Sequence, residues 1–499
     1  MSERFLLGVD IGTFSSKGVL VRGNGEVAAQ CMVEHSLDIP APGRAEHDPE
    51  TVWWGDFLHL CTDLLRTSGA AAAAIEAIGV STISPAVVAV GRDGRALRPA
   101  ILYGIDTRAT EEIAELERVT GTHHDSQSAA PKVMWIRRHE PDVWARTRWI
   151  LNGSGYLNFR LTAGRTIDIY DASIFHPFFD AATASWNGAL EDLVAPVEMM
   201  PEPTWTSRVM GRVTGSAARE TGLAEGTPVI TGTADAAAEA VASGLTAPGD
   251  MMVMYGSSTF FILRTDGLRS PRGFWASRFL ERDSFVVAGG TATAGSLTRW
   301  FRDNFGAEER AAEAHGGPNA YAQLSRLAAA SPAGSRGLVV LPYFSGERTP
   351  LNNPDARGMI YGLTLGHGRA DVYRAVLESV GFSIRHNIEA LQAEGCSAER
   401  ILAVGGGTRN PAWMQIVSDI AGVEQVVPSR QIGASFGDAV LAGVGVGMFS
   451  GISAASGWVR AGETVRPDPA NRTEYDAGYG LYRELYERTS GLMRKYRSP

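Results

Sequence analysis

Apolar and polar positions fall in short blocks at the start of this chain: FLLGVDIG, a polar turn, SKGVLV, the turn Gly23-Asn24-Gly25, then EVAAQ. Two apolar runs around a glycine-bearing turn predict a hairpin, and the second glycine turn predicts a third strand, so the chain opens on a β-meander. Farther on the period changes. Asp48 stands as an N-cap before Pro49, and Val52, Trp53, Phe57, Leu60, Leu64 and Leu65 recur at helical spacing. The alanine run 70–74 leads into IEAIGVSTIS, a helix end or loop followed by a strand. KVMWIRRH, 132–139, reads as a helix up to the interruption at Pro141, TPVITG as a strand, and DAAAEAVASG, 235–244, as a helix of strong helix formers.

Pro248-Gly249 in LTAPGD marks the expected domain boundary, giving domains 1–245 and 246–499. Immediately beyond it, MMVMYGSSTFFIL repeats the opening layout of strand, small polar turn and strand, without the acid. The repeat suggests a duplicated fold with a nucleotide clamped in the cleft between the halves. The second half continues with a glycine-rich strand exit at 286–295, a long helix in VYRAVLESVGFSIRHNIEAL, and strand, triple-glycine turn and helix in ILAVGGGTRNPAWMQIVSDIAG. GASFGDAVLAGVGVGMF is a helix of small residues suited to close packing on a neighbour.

The turns carry the candidate chemistry. Gly12 allows the backbone near an anion, and Thr13, Ser15 and Ser16 add hydroxyl donors, a pattern suited to phosphate. Asp10 would repel that phosphate unless a cation stood between them, and Mg²⁺, which takes one or two carboxylates beside substrate phosphates, is the cation expected. From these residues alone a plain hairpin is an equal alternative. Asp235 at a helix head reads as an N-cap by itself; beside Asp10 it becomes a base that takes the proton from an attacking hydroxyl. Gly405, Gly406 and Gly407 remove side chains where a flat base could lie, with Asn410 a cap or hydrogen-bond donor. His123-His124-Asp125 lacks a third convergent ligand and reads as a solvated loop, and of Trp53-Trp54 at least one is a core anchor.

Composition narrows the class. The 499 residues exceed the usual size of a single core, and 44% hydrophobic with 20% charged residues describes a globular protein. A net charge of −9 without a long Lys/Arg cluster argues against nucleic acid. Three scattered cysteines, a start at Met1-Ser2-Glu3-Arg4 without a leader pattern and no run of 18 apolar residues lead to the expectation of a cytoplasmic protein with no membrane span.

In this order VDIGT (9–13), KVMWIRRH (132–139), TGTADAAAEAVASG (231–244), YGSSTFF (255–261), GMIYGLTLGHGRADVYRAVLE (358–378) and VGGGTRNPAWMQIVSDIAG (404–422) resemble the motifs of the FGGY family of carbohydrate kinases. The resemblance implies an α/β fold of two ribonuclease-H-like domains of the actin-like ATPase superfamily, with ATP and a sugar in the cleft between them. It implies ATP and Mg²⁺ as cofactors, Asp10 as the magnesium-side acid and Asp235 as catalytic base. Gly12, Thr13 and Lys17 match the first phosphate loop, Gly256, Ser257 and Ser258 the second, and Gly406, Gly407 and Asn410 the adenosine side. Asp106, Arg108, Ser84 and Asp235 are the implied sugar contacts, and a homodimer is implied by family habit alone.

Within the family RAEHDPETVWW, RPAILYGIDTRA and LPYFSGERTPLNNPDARGMIYGL are similar to the xylulokinases, which implies D-xylulose as the sugar. Two departures stand out. Ser84-Pro85-Ala86 occupies the place of a Met-His-Gly sequence, and Tyr103-Gly104-Ile105-Asp106 that of a shorter Trp-Asn-Asp. They leave open a kinase for another ketose or polyol, while an ATP-binding regulator of the same superfamily is the alternative from a different class.

Overall fold

The computed structural model describes residues 3–429, 431–459 and 462–495; Met1 and Ser2, part of the leader reading, lie outside them. The chain divides into two units. One holds the chain through Thr246 together with Ser277–Ser284 and Ile432–Val459; the other holds Ala247–Ala276, Phe285–Gln431 and the described residues after Val459. The crossing at 246/247 lies beside the Pro248-Gly249 turn, and two later segments return to the first unit.

In the first unit β1 (Phe5–Ile11), β2 (Ser15–Arg22) and β3 (Val27–Glu34) form the expected meander. β4 (Ile75–Thr82), β5 (Val209–Arg212), β6 (Pro228–Ile230) and β7 (Thr233–Ala234) complete the sheet, in the order β5-β6-β4-β1-β2-β3 with β7 also on β4. β1 runs antiparallel to β2 and parallel to β4, and all seven of its residues are buried. A strand covered on both faces loses alternation and reads as a continuous apolar run, which is why FLLGVDI shows no period of two.

The second unit repeats the plan. β8 (Asp250–Tyr255), β9 (Thr259–Thr265), β10 (Phe285–Thr291), β11 (Arg400–Val404), β12 (Glu424–Val427) and β13 (Glu463–Val465) stand in the order β10-β9-β8-β11-β12-β13. β8 is antiparallel to β9 and parallel to β11, and the last pair is antiparallel, as β5 and β6 are in the first unit. Each sheet is thus a ribonuclease-H-like order, three antiparallel strands followed by two parallel ones.

The return of Ile432–Val459 to the first unit has a steric cause. Gly8 and Gly79 are register partners on β1 and β4. A Cβ on Gly8 would lie 1.9 Å from the Ser435 carbonyl oxygen and one on Gly79 2.2 Å from that of Asp438, so the Ala434–Gly445 helix rests directly on bare strand backbone. Gly437 makes the same approach to the Asp235–Ser243 helix, with a hypothetical Cβ 1.9 Å from the Ala238 carbonyl oxygen.

Other local signals also hold. Asp48 accepts the Glu50 and Thr51 N–H groups ahead of Pro49, a cap worth about 1 kcal/mol, and a π-type turn then runs into the Gly55–Ser68 helix. Both Trp53 and Trp54 are buried, so both are core anchors. The helix Ala130–His139 ends ahead of Pro141, as expected, and Pro141 starts a second short helix, Pro141–Arg146.

Candidate active site

The first turn closes with the Gly12 N–H donating to the Ser15 carbonyl at 3.0 Å. Around it, the Asp56 carboxylate accepts from Ser16 Oγ at 2.6 Å and contacts His35 Nδ1 at 2.8 Å, while His35 Nε2 reaches the Gly12 carbonyl at 3.1 Å. Thr13 Oγ1 lies 3.0 Å from the Tyr103 hydroxyl. The loop is therefore held in place by side chains 23 to 90 residues away in sequence.

Asp10 sits at the end of β1, opposite Lys17 on β2. Burial pushes its carboxyl up to about 6, while Lys17 and a hydrogen bond from Ser81 oppose the rise. Asp235 is the first residue of its helix, and it is no ordinary N-cap: among the described residues its Oδ1 accepts only the adjacent Ala236 N–H, at 2.7 Å. Its carboxyl is pushed well above the usual carboxylate range, first by burial and then by the charge of Asp10, with Asp171 and Glu239 adding to it. The fold thus brings together the two acids that the sequence singled out.

Two further acids join them. Glu239 lies one helical turn after Asp235 and is raised to about 7 by burial and by Asp10, with Lys17 acting against the shift. That i, i+4 spacing places both acids on one helix face and was a signal available in the sequence. Asp438, on the Ala434–Gly445 helix, is raised well above its ordinary range by burial, with Asp10 and Asp235 adding to it. Only the fold could place it here.

Such a cluster leaves a pH signature in stability. Glu239 in the unfolded chain ionises near 4.5, whereas in the fold it keeps its proton up to about 7. Between those values the folded state binds more protons, so stability falls as pH rises through the window. Glu239→Gln should consequently stabilise the metal-free protein at pH 8 by ~2–3 kcal/mol, and much less at pH 5. Urea unfolding at the two pH values checks this; an equal difference at both would contradict it.

The sugar-side residues divide. Asp106 and Arg108, the implied sugar contacts, are paired with each other and with their neighbours. Asp106 accepts the Ala45 N–H at 2.7 Å and the Arg108 Nη2 and Nε groups at 2.6 and 3.0 Å, and its side chain is wholly buried. Arg108 also pairs with Glu46 at 2.7 Å and lies over the Trp135 ring. Lys132 of the KVMWIRRH motif braces the same loop through the Ser126 carbonyl and, at 3.4 Å, that of Asp106. This is a structural ion-pair network whose oxygens are already in use.

Ser84 lies elsewhere: its hydroxyl donates to Asp171, which also accepts from Asn152. Asp171 forms a buried acid pair with Asp168, itself held by Thr206 and Thr233 at 3.0 and 2.9 Å. Burial and the neighbouring carboxylate push Asp168 up, and burial does the same for Asp171 despite the bonds from Ser84 and Asn152. Through Asp171 the Ser84 region is electrostatically coupled to Asp235, and Tyr103 and Tyr170 feel Asp235 as well. Asp171, Asn152, Tyr103 and Tyr170 are thus neighbours that sequence reading did not assign to the site.

In the second unit the Gly256 N–H donates to the Ser258 carbonyl at 3.0 Å, the counterpart of the Gly12 turn. The Ser257 carbonyl accepts from the Ala294 and Ser296 N–H groups at 2.9 Å, seating that loop on the start of the Gly295–Phe305 helix. In the triple-glycine turn Gly405 has φ +90° against Tyr255, and a Cβ on Gly407 would meet Tyr255 and Trp413, but one on Gly406 would have nothing within 4 Å. Asn410 uses its side-chain oxygen to cap Pro411–Ala421 through the Trp413 N–H at 3.2 Å. Thr408 and Gln431 bond across the mouth of the turn at 2.8 Å.

Two ribonuclease-H-like sheets, each with a glycine turn after its first strand, and paired acids on one of them define a phosphotransferase of the actin-like superfamily. Sequence comparison agrees: the N-terminal domain of the FGGY family of carbohydrate kinases matches residues 5–242 and the C-terminal domain of that family matches 251–446. The chain belongs to the FGGY family, and it is an ATP-dependent carbohydrate kinase acting on a small-molecule sugar. It is 27% identical to the xylulose kinase of Bacillus subtilis (strain 168) over 98% of both chains. It is also 30% identical to the glycerol kinase of Nocardia farcinica, over 93% of this chain and 95% of the relative. The crystal structure of xylulose kinase from Rhodospirillum rubrum superposes with a TM-score of 0.90 at 34% identity, covering 98% of this chain and all of that one. Among the described residues no helix is long and apolar enough to cross a membrane.

Proposed function

We propose that this kinase transfers the γ-phosphoryl group of ATP to the terminal hydroxyl of a ketopentose, D-xylulose first, giving the 5-phosphate. Asp235 takes the hydroxyl proton. The observation that carries this is its environment, a half-buried carboxylate at a helix head with, among the described residues, a single N–H partner and with Asp10 as its main charged neighbour. The Gly12 turn with Thr13 and Lys17, and the Gly256-Ser257-Ser258 turn, supply phosphate donors, while Gly406, Gly407 and Asn410 form the adenosine side. The similarity to xylulose kinases supports the choice of sugar.

Asp10 fits Mg²⁺. It offers a hard oxygen donor whose side chain has, among the described residues, only Ser81 as a hydrogen-bond partner. No group of three or more His, Cys, Asp or Glu among the described residues could hold a metal ion alone, which suits an ion that keeps waters and phosphate oxygens as ligands. When bound, Mg²⁺ neutralises phosphate charge. A cation beside Asp10 would also lower the carboxyls that burial raises, favouring the ionised Asp235 that a base must be.

A second reading keeps the mechanism and changes the sugar. Ser84 spends its hydroxyl on Asp171, in the segment where xylulokinases carry Met-His-Gly, so an imidazole is absent from that place. A site loses strong discrimination when a polar contact to a hydroxyl is removed. The test is ADP release with ATP and Mg²⁺ across ketopentoses, tetroses, hexuloses and polyols including glycerol. The expected result is the highest kcat/KM for D-xylulose, at least tenfold above the next sugar, a difference of about 1.4 kcal/mol. A higher value for another sugar would replace the substrate, and sugar-independent hydrolysis alone would overturn the kinase assignment of Asp235.

A further inference from the structure

Asp438 comes to the acid cluster on a helix of small residues and is the only charged side chain within Ala434–Gly445. It is fully buried, and Ser81 Oγ lies between it and Asp10, 2.7 Å from Asp438 Oδ2 and 3.3 Å from Asp10 Oδ1. A serine hydroxyl has one proton and cannot donate to two carboxylates at once. The shorter contact needs a donor on the Asp438 side if Ser81 is to keep its own proton for Asp10. The other Asp438 oxygen, Oδ1, has no hydrogen-bond partner among the described residues, which an ionised carboxylate in this interior would tolerate badly. Nor can the helix relax away, because its backbone touches Gly8 and Gly79 and its Gly437 touches Ala238.

We propose that Asp438 is a positioning residue for phosphoryl transfer: as a neutral acid it donates to Ser81, and Ser81 in turn donates to Asp10, holding that carboxylate in the orientation that receives the cation. Asp438 itself touches neither cation nor substrate. Its neutrality also keeps another negative charge away from Asp10 and Asp235. Burial first, and then the charges of those two acids, favour that neutral form against the hydrogen bonding from Ser81 that opposes it.

The inference rests on Asp10 being the magnesium-side acid, so Asp10→Asn serves as the control. Four variants, Asp438→Ala, Asp438→Asn, Ser81→Ala and Asp10→Asn, are compared for kcat, sugar KM and the Mg²⁺ concentration giving half the maximal rate. Loss of a hydrogen bond to a charged group predicts that Asp438→Ala and Ser81→Ala each raise the Mg²⁺ requirement about tenfold, with the sugar KM unchanged. Their double variant should be no worse than either alone, since both break one chain of contacts. Asp438→Asn retains a donor and should restore a Mg²⁺ response within about threefold of wild type. An Asn variant as impaired as the Ala variant would overturn the donor role, and an unchanged Mg²⁺ response in Asp438→Ala would overturn the inference altogether. If Asp10→Asn itself leaves the Mg²⁺ response unchanged, the assignment of Asp10 fails instead. Melting temperatures of all four separate this from mere loss of packing, which would lower stability without moving the Mg²⁺ requirement.

Discussion

Replacing Asp235 with Asn should lower sugar-dependent ADP release by roughly 10²- to 10⁴-fold while leaving ATP affinity within about twofold of wild type. The amide keeps the shape of the acid and its acceptor for the Ala236 N–H, so the helix head need not move. What it loses is the ability to take a proton. Because the mechanism uses the ionised acid, and burial with the nearby charge of Asp10 raises its carboxyl, kcat/KM for the sugar should rise with pH on the acid limb. Asp235→Asn should abolish that limb. The measurements are coupled ADP release from pH 5 to 9 and nucleotide titration by calorimetry. A variant retaining more than about a tenth of the activity would remove Asp235 from the role of base, since general-base catalysis contributes at least ~10²-fold.

Gly437→Ala should have a comparably large effect through stability. Its Cβ would stand 1.9 Å from the Ala238 carbonyl oxygen, a backbone atom that cannot turn aside, and relief requires the Ala434–Gly445 and Asp235–Ser243 helices to separate. Overpacking of this kind costs about 3 kcal/mol or more. The same separation displaces Asp235 and Asp438 together, so kcat should fall along with the melting temperature. Gly457→Ala is the internal control: a Cβ there meets nothing within 4 Å and should change stability by no more than about 0.5 kcal/mol. Equal melting temperatures for the two variants would show that the close helix contact does not limit stability.

Much of the local structure around the candidate site was legible because its signals are local. FLLGVDIGTFSSKGVLV and MMVMYGSSTFFIL each write a strand, a turn and a strand, and their backbone closures at Gly12 and Gly256 follow from the glycines. Asp235 after TPVITG stands where a strand passes into a helix, so its placement at the helix head needed only neighbouring residues. Asp106 shows the opposite case. DTR looks like an exposed acid beside a base, but Ala45, Glu46 and Trp135 converge on that pair from separate segments and consume its polar capacity. Ser84 is similar, since nothing near it in sequence announces Asp171 or Asn152.

The sequence by itself determined the two sheets, the duplicated glycine turns and the family, because each depends on short-range periodicity or on motifs read in order. Only the tertiary structure decided that Ile432–Val459 belongs to the first unit and that Glu239 and Asp438 share the acid cluster. The physical reason is close packing. Glycines at 8, 79 and 437 permit backbone contact between elements far apart in the chain, and the acids carried there acquire their character from burial and from each other's charge. Neither effect leaves a trace in the residues immediately around them.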